Sequence, residues 1–173
     1  MAEKKLKIGI AGYGVVGKRR RQFIDEHPNL VTTAVSDISF RKNGAMPDGV
    51  KFYNTYEGLF NEKLDVLFVS LPNYLAAEAT IAGLEHGLHV FCEKPPGRTV
   101  QDIKKVIEIE KKNPHLKLKY GFNHRYHASV KEAKKVIESN QYGEIINIRG
   151  VYGKSNIIPF DKGWRSERKY AGG

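Results

Sequence analysis

Residues 7–21 read KIGIAGYGVVGKRRR: a short apolar run, then a glycine-rich turn, then the start of a helical pattern. The turn has the spacing G-x-G-x-x-G at Gly12, Gly14 and Gly17. Gly12 permits a tight turn, Gly14 lets a pyrophosphate approach the backbone, and Gly17 lets the helix pack closely on the strand. A helix that begins at Val15 and Val16 presents free N–H groups and its positive dipole end to that anion. The stretch predicts a dinucleotide-binding turn; the alternative is a glycine turn that only packs.

Outward from this turn, short apolar runs alternate with helical patterns. Uninterrupted runs rich in Val, Ile and Phe are typical of strands buried on both faces of a parallel sheet. We predict strands at Lys7–Ala11, Leu30–Ser36, Val50–Tyr53, Asp65–Leu71, His89–Cys92 and Leu116–Phe122. We predict helices at Val15–Glu26, Tyr56–Asn61, Leu75–His86 and Thr99–Lys112, the last capped by Thr99 with Asp102 three residues on. This alternation indicates an α/β fold with a doubly wound parallel sheet over residues 1–122.

The pattern changes after Phe122. Ser129–Asn140 predicts an amphipathic helix and Glu144–Val151 an alternating strand. One helix and one strand cannot form a core alone. We therefore expect residues 123–173 to be the truncated start of a second α/β domain. We also expect Glu144–Val151 to be poorly ordered or to pair with a strand of another copy.

A carboxylate closes the second predicted strand. Asp37 lies 20 positions past Gly17, where it can accept hydrogen bonds from the adenosine ribose hydroxyls of a dinucleotide. Its negative charge favours NAD, because a 2′-phosphate would be repelled. Arg41 and Lys42 follow within five residues and could pair with that phosphate, so NADP stays open as the alternative.

Composition excludes several classes of protein. The net charge of +10 comes from basic residues scattered over predicted helices, which is typical of solvated faces and not of a nucleic-acid site. No apolar run approaches the length of a membrane span, and the start of the chain lacks the pattern of a signal peptide. The single cysteine, Cys92, excludes an internal disulfide framework and a cysteine-built zinc site. We expect a cytoplasmic protein with no metal site and no nucleic-acid or membrane partner.

Further motifs occur in order along the chain: Leu71-Pro72-Asn73, Glu93-Lys94-Pro95, Gly121-Phe122-Asn123-His124-Arg125, Tyr142-Gly143-Glu144-Ile145, and Trp164-Arg165 leading to Gly172-Gly173. Together with the glycine turn, they make nearly the whole chain resemble the glucose–fructose oxidoreductase / inositol dehydrogenase (Gfo/Idh/MocA) family. The E-K-P is the most specific of these motifs. The resemblance implies a Rossmann domain followed by an α/β domain that lines the substrate site. It also implies nicotinamide-dependent hydride transfer on a sugar, cyclitol or nucleotide-linked sugar, and a homo-oligomer for the full-length protein.

The resemblance also assigns site residues. Lys94 is the catalytic-site lysine, whose ammonium would hydrogen-bond the reacting oxygen, and it is also expected to contact the cofactor. Glu93 and Asn73 are expected to contact the cofactor, and Arg125 to lie at the cofactor–substrate edge. Leu71 and Pro72 are expected beside the cofactor, because ligands of open parallel sheets bind beyond the carboxyl ends of the strands.

Two departures from the family pattern bear on activity. Ala76 stands where many relatives carry a histidine. The family's D-x-G-x-H-like catalytic segment would come after the glycine run that ends this chain at Gly173. We therefore expect these residues to bind dinucleotide but to catalyse poorly or not at all alone. A non-catalytic dinucleotide-binding module, serving as a sensor or partner-binding unit, is the alternative function.

Overall fold

A seven-stranded sheet lies at the centre of the computed structural model, which describes residues 5–153 and 163–172. The strands are β1 Leu6–Ala11, β2 Leu30–Ser36, β3 Gly44–Ala45, β4 Lys51–Tyr53, β5 Val66–Val69, β6 His89–Cys92 and β7 Leu118–Tyr120. Their order across the sheet is β3-β4-β2-β1-β5-β6-β7, and every pair is parallel except β3 with β4. The chain thus winds outward from β1 in both directions, which confirms the doubly wound parallel sheet.

Helical segments lie between and after these strands. They are α1 Val15–Glu26, α2 Asn73–Glu85, α3 Val100–Lys112, α4 Ala128–Glu138 and α5 Arg168–Ala171, with 3₁₀ turns at Tyr56–Asn61, Asn123–Tyr126 and Trp164–Ser166. The predicted bounds of α1 are confirmed. α2 begins two residues before its predicted start, directly after Pro72, whose carbonyl accepts hydrogen bonds from the N–H groups of Leu75 and Ala76. Among the described residues no helix is both long and apolar enough to cross a membrane.

The core consists of two clusters separated by the sheet. Ile8 and Ile10 of β1 pack with Ile24 of α1 on one face. Leu67 of β5 packs with Leu84 of α2 on the other. Because both faces are covered, successive strand residues are buried whichever way they point, which explains the uninterrupted apolar runs.

A capping box begins α3, as the sequence predicts. The Thr99 hydroxyl accepts from the Asp102 N–H, and the Asp102 carboxylate accepts from the N–H groups of Thr99 and Arg98. Burial alone raises the pKa of Asp102, but these hydrogen bonds outweigh it and hold the pKa below its ordinary value. The stabilisation from the Asp102 charge is therefore present above the ordinary aspartate pKa and lost as the pH falls below it.

Replacing Thr99 with alanine is expected to lower the free energy of unfolding by about 1 kcal/mol, because the N–H of Asp102 loses its acceptor. Urea denaturation near neutral pH measures this loss. Thr55→Ala is the matched control. Thr55 is the N-cap residue of the 3₁₀ turn Tyr56–Asn61, but its side chain forms no capping hydrogen bond. Equal losses in the two variants would contradict the capping role of Thr99.

The prediction of a strand at Glu144–Val151 is wrong. This stretch forms no ladder, and Ile146, Ile148 and Val151 are exposed over most of their surface. A strand needs a neighbour for its backbone groups, and no strand among the described residues pairs with it. The preceding helix is confirmed as α4, yet its side chains are also exposed. Pairing of Glu144–Val151 with another copy stays a prediction.

The segment 163–172 packs against α2 and the loop before α3. The ring of Tyr170 lies 4.9 Å from that of Tyr74 in α2, and the Arg98 guanidinium donates to the Lys169 carbonyl at 2.6 Å. Residues 1–4, 154–162 and 173 of the two predicted units lie outside the described residues. The division at residues 1–122 and 123–173 stays a prediction.

Candidate functional site

The glycine turn after β1 is packed tightly on its inner side. Gly12 has a φ of 90°, and a Cβ there would lie 2.5 Å from the carbonyl oxygen of Ser70. A Cβ on Gly17 would collide with the carbonyl oxygen of Gly12. Both positions therefore require glycine, the first for its backbone conformation as well as for space.

The outer side of the same turn is open. A Cβ built on Gly14 meets nothing within 4 Å, although Gly14 is the N-cap residue of α1. No side chain caps this helix end, and its first turn has no acidic residue. The first N–H groups of α1, including those of Val15 and Val16, are left without helical partners beside this space, so the turn can accept an anionic group against its backbone.

Asp37 lies beside the turn. It directly follows β2, where one carboxylate oxygen accepts from the N–H of Tyr13 at 3.0 Å and the other from the N–H of Ser39 at 2.9 Å. These two bonds orient the carboxylate and leave further lone pairs for ribose hydroxyls. Arg41 and Lys42 are exposed, and neither forms an ion pair within the described ranges.

The remaining motif residues meet at the same edge of the sheet. The N–H of Ser70 donates to Ala11, that of Glu93 to Val69, and that of Gly121 to Cys92, at 2.7–2.8 Å. Since these ladder bonds continue past the strand ends, Leu71-Pro72-Asn73 follows the strand next to the glycine turn, and Glu93-Lys94 follows the strand after that one. Sequence reasoning thus predicted which residues share this carboxyl edge.

Asn73 and Ala76 both lie in the first turn of α2, directly after Pro72. The Asn73 side-chain amide donates to the Ala171 carbonyl at 2.7 Å, so the segment 163–172 reaches this edge. Ala76 is buried in the core against the sheet. Ala76 is therefore a packing residue, and its methyl group offers no polar contact to a ligand.

Lys94 is exposed and lines an open cleft of about 360 Å³ together with His124 and Tyr152. Arg125 lies beside His124 in the 3₁₀ turn Asn123–Tyr126 but does not line this cleft. Tyr152 was missed by sequence reasoning, because it comes after a stretch predicted only as an alternating strand. The cleft thus contains an ammonium, an imidazole and a phenol group. It lies at the carboxyl edge of the sheet, as does Leu71-Pro72-Asn73.

Two arginines of α1 form ion pairs near this edge, and the sequence analysis predicted neither pair. Arg20 pairs with Glu93. Arg21 donates to the Tyr13 hydroxyl at 2.9 Å and pairs with Asp48 across the turn. Burial lowers the pKa of Arg21, but the hydrogen bonds to Tyr13 and to Asp25 and Asp48 outweigh it and raise the pKa above its ordinary value.

Cys92 ends β6 inside the core. Its side chain is fully buried, and burial raises the pKa of its thiol to about 11. The thiol is therefore neutral near pH 7 and unsuited to nucleophilic chemistry, as expected of a buried structural cysteine.

The open space at Gly14, the N–H groups of α1 without helical partners and the carboxylate of Asp37 are groups that suit the pyrophosphate and ribose of a dinucleotide. The model of the Gfo/Idh/MocA family, an oxidoreductase family with an NAD-binding Rossmann fold, matches residues 6–122. The chain belongs to this family. The resemblance stated from the sequence motifs is confirmed, and Gfo/Idh/MocA membership agrees with the strand order of the sheet.

Several characterised proteins are similar to this Gfo/Idh/MocA chain. Inositol 2-dehydrogenase of Salmonella paratyphi B is 31% identical over 89% of this chain and 48% of its own length. Levoglucosan dehydrogenase of Pseudarthrobacter phenanthrenivorans is 37% identical over 86% of this chain and 41% of its own. The crystal structure of myo-inositol 2-dehydrogenase from Lactobacillus plantarum superposes with a TM-score of 0.71 at 25% identity, covering 83% of this chain and 44% of that one. The chain spans about half the length of the curated relatives it matches.

Proposed function

We propose that this chain is the N-terminal, coenzyme-binding part of an NAD-dependent oxidoreductase that acts on a hydroxyl or carbonyl group of a sugar, cyclitol or nucleotide-linked sugar. The observation that supports it most strongly is the open glycine turn beside Asp37, at the same sheet edge as Lys94. The substrate class is supported by the similarity to inositol and levoglucosan dehydrogenases. A homo-oligomeric state and a cytoplasmic location stay predictions.

Each residue of the site has a distinct role in this proposal. The backbone of Gly12, Gly14 and the first turn of α1 holds the pyrophosphate, and Asp37 accepts hydrogen bonds from the adenosine ribose. NAD, when bound, supplies a nicotinamide carbon that accepts or donates hydride. The exposed ammonium of Lys94 hydrogen-bonds the reacting oxygen and stabilises the negative charge that develops on it.

The remaining residues shape the space around the nicotinamide half. Leu71 and Pro72 pack beside the coenzyme at the end of β5, with Asn73 at the start of α2. Glu93 lies at the end of β6, and Arg125 is at the substrate side. His124 and Tyr152 line the cleft with Lys94 and provide hydrogen-bonding groups toward the hydroxyls of a polyol.

Titration of this chain with NADH, followed by nicotinamide fluorescence, tests the coenzyme site. We expect saturable binding of one NADH per chain, with displacement by ADP-ribose, because the pyrophosphate and adenosine ribose contacts lie in the glycine turn and Asp37. A well-folded chain that binds no NADH would contradict the proposal.

Turnover in a protein that contains this chain distinguishes the enzyme from a non-catalytic binding module. There Lys94→Met should lower kcat about 100-fold or more, the loss expected when one donor to a developing oxyanion is removed. An unchanged rate would contradict the role of Lys94 and favour the binding module.

A further inference from the structure

Arg20 and Glu93 form an ion pair at the carboxyl edge of the sheet. The Arg20 guanidinium donates from Nε, at 2.7 Å, and from Nη2 to the same oxygen, Oε1, of Glu93. The guanidinium carbon also lies 4.9 Å from the ring centroid of Phe91 in β6. The side chains of Arg20 and Glu93 are 32% and 18% exposed. The pair is thus partly shielded from solvent and held by an aromatic face as well as by charge.

The second oxygen of Glu93 lies against Gly121. A Cβ on Gly121 would be 2.9 Å from Glu93 Oε2, so the absence of a side chain after β7 leaves room for the carboxylate. Glu93 is thereby held between α1 and the end of β7. Lys119 of β7 and Arg20 line a second cleft, separate from the cleft of Lys94. Lys119 forms no ion pair with Glu93 in the described part of the chain.

This ion pair joins two parts of the site that lie 73 residues apart in sequence. Arg20 is in the helix that begins at the glycine turn, and Glu93 directly precedes Lys94. The two charged groups therefore meet just after β6, one residue before Lys94, which the proposed function places beside the nicotinamide. The nicotinamide ring is cationic in NAD⁺ and neutral in NADH, so an unpaired charge at this edge would change the two affinities unequally.

We propose that Arg20 is a positioning residue that, by neutralising and orienting Glu93, sets the relative affinity of the site for oxidised and reduced coenzyme. This inference rests on the proposed coenzyme-binding function. With Arg20 in place, Glu93 adds no net negative charge beside the nicotinamide. Without Arg20, the Glu93 carboxylate stabilises the cationic ring of NAD⁺ and leaves the neutral ring of NADH unaffected.

Four variants of this chain test the proposal: Arg20→Met, Glu93→Gln, the double variant, and Arg19→Met. The dissociation constants of NAD⁺ and NADH are measured for each by calorimetry at low salt. The ratio Kd(NAD⁺)/Kd(NADH) is expected to fall about fivefold in Arg20→Met and to rise about fivefold in Glu93→Gln. The double variant should return to within about twofold of the unsubstituted chain. Arg19 is an exposed neighbour with the same charge, so Arg19→Met should shift the ratio less than twofold.

The ratio separates this role from a merely structural one. A structural role would weaken both coenzymes equally, so an unchanged ratio in Arg20→Met and in Glu93→Gln would overturn the proposal while leaving the coenzyme site intact. Equal shifts in Arg20→Met and Arg19→Met would also overturn it. If Arg20→Met does not fold, as judged by circular dichroism, the ratio Kd(NAD⁺)/Kd(NADH) of Glu93→Gln alone tests the proposal. Failure of the unsubstituted chain to bind either coenzyme would instead contradict the proposed function, and this inference with it.

Discussion

Replacing Gly14 with alanine is expected to leave the chain folded and to weaken NADH binding about 100-fold. A Cβ at this position meets no atom of the protein within 4 Å, and the φ of −73° and ψ of −158° at Gly14 are extended backbone outside the left-handed region that favours glycine. The added methyl group can therefore collide only with a ligand that lies against the outer side of the turn. In the proposed site that ligand is the pyrophosphate, whose hydrogen bonds to the backbone would be lengthened or lost. Each such bond to a charged group contributes about 1.5–3 kcal/mol.

Gly17→Ala is the matched comparison, three residues further along the same turn. Its Cβ would collide with the Gly12 carbonyl and approach Ile10 Cγ2 at 3.4 Å, so α1 must move away from β1. We expect the free energy of unfolding to fall by about 3 kcal/mol, as for other overpacked sites, and NADH binding to be lost with the turn geometry. Urea denaturation and NADH titration on both variants separate the two effects.

The two variants should differ in which measurement they change. Gly14→Ala should resemble the unsubstituted chain in denaturation and differ in titration, whereas Gly17→Ala should differ in both. Full NADH affinity in Gly14→Ala would show that no ligand backbone approaches the turn, and the assignment of the pyrophosphate site would be wrong. Equal destabilisation of the two variants would contradict the open space seen at Gly14.

The elements that sequence predicted correctly are those whose own residues contain the signal. α1 begins after a glycine turn and ends at Glu26 as expected, because the apolar period of a helix is local. β2 and β6 also have their predicted bounds, since continuous apolar runs indicate strands covered on both faces. The residues at the carboxyl edge could be predicted from these bounds, because parallel strands end at one edge of a sheet.

The features that sequence missed depend on partners distant in the chain. β3 has only two residues, too few to show a period, and exists because it pairs with β4. Glu144–Val151 has the alternating pattern of a strand without a neighbouring strand to complete it. The Arg20–Glu93 pair and the hydrogen bond from Asn73 to Ala171 join residues more than 70 positions apart, so no local sequence pattern indicates them.

Replacing Asp37 with serine is expected to lower the ratio Kd(NADPH)/Kd(NADH) about 100-fold. The carboxylate directly follows β2 and is oriented by the N–H groups of Tyr13 and Ser39, so it faces the glycine turn at the place proposed for the adenosine ribose. A 2′-phosphate there would be within a few ångström of a like charge, a repulsion of about 1–4 kcal/mol for each unit of phosphate charge. Serine removes that repulsion and keeps a hydroxyl oxygen that can accept from one of the two N–H groups.

The exposed cations that follow Asp37 determine how much the preference for NADH over NADPH changes in Asp37→Ser. Arg41 and Lys42 have no ion-pair partner among the described residues, so both are free to turn toward a 2′-phosphate. Adding Arg41→Met to Asp37→Ser should therefore return part of the lost selectivity for NADH. Glu85→Gln, at the other end of α2 and exposed, controls for the change in net charge and should leave the ratio within about twofold. If Asp37→Ser weakened NADH and NADPH by the same factor, Asp37 would only support the turn through Tyr13, and the coenzyme preference would have to arise elsewhere.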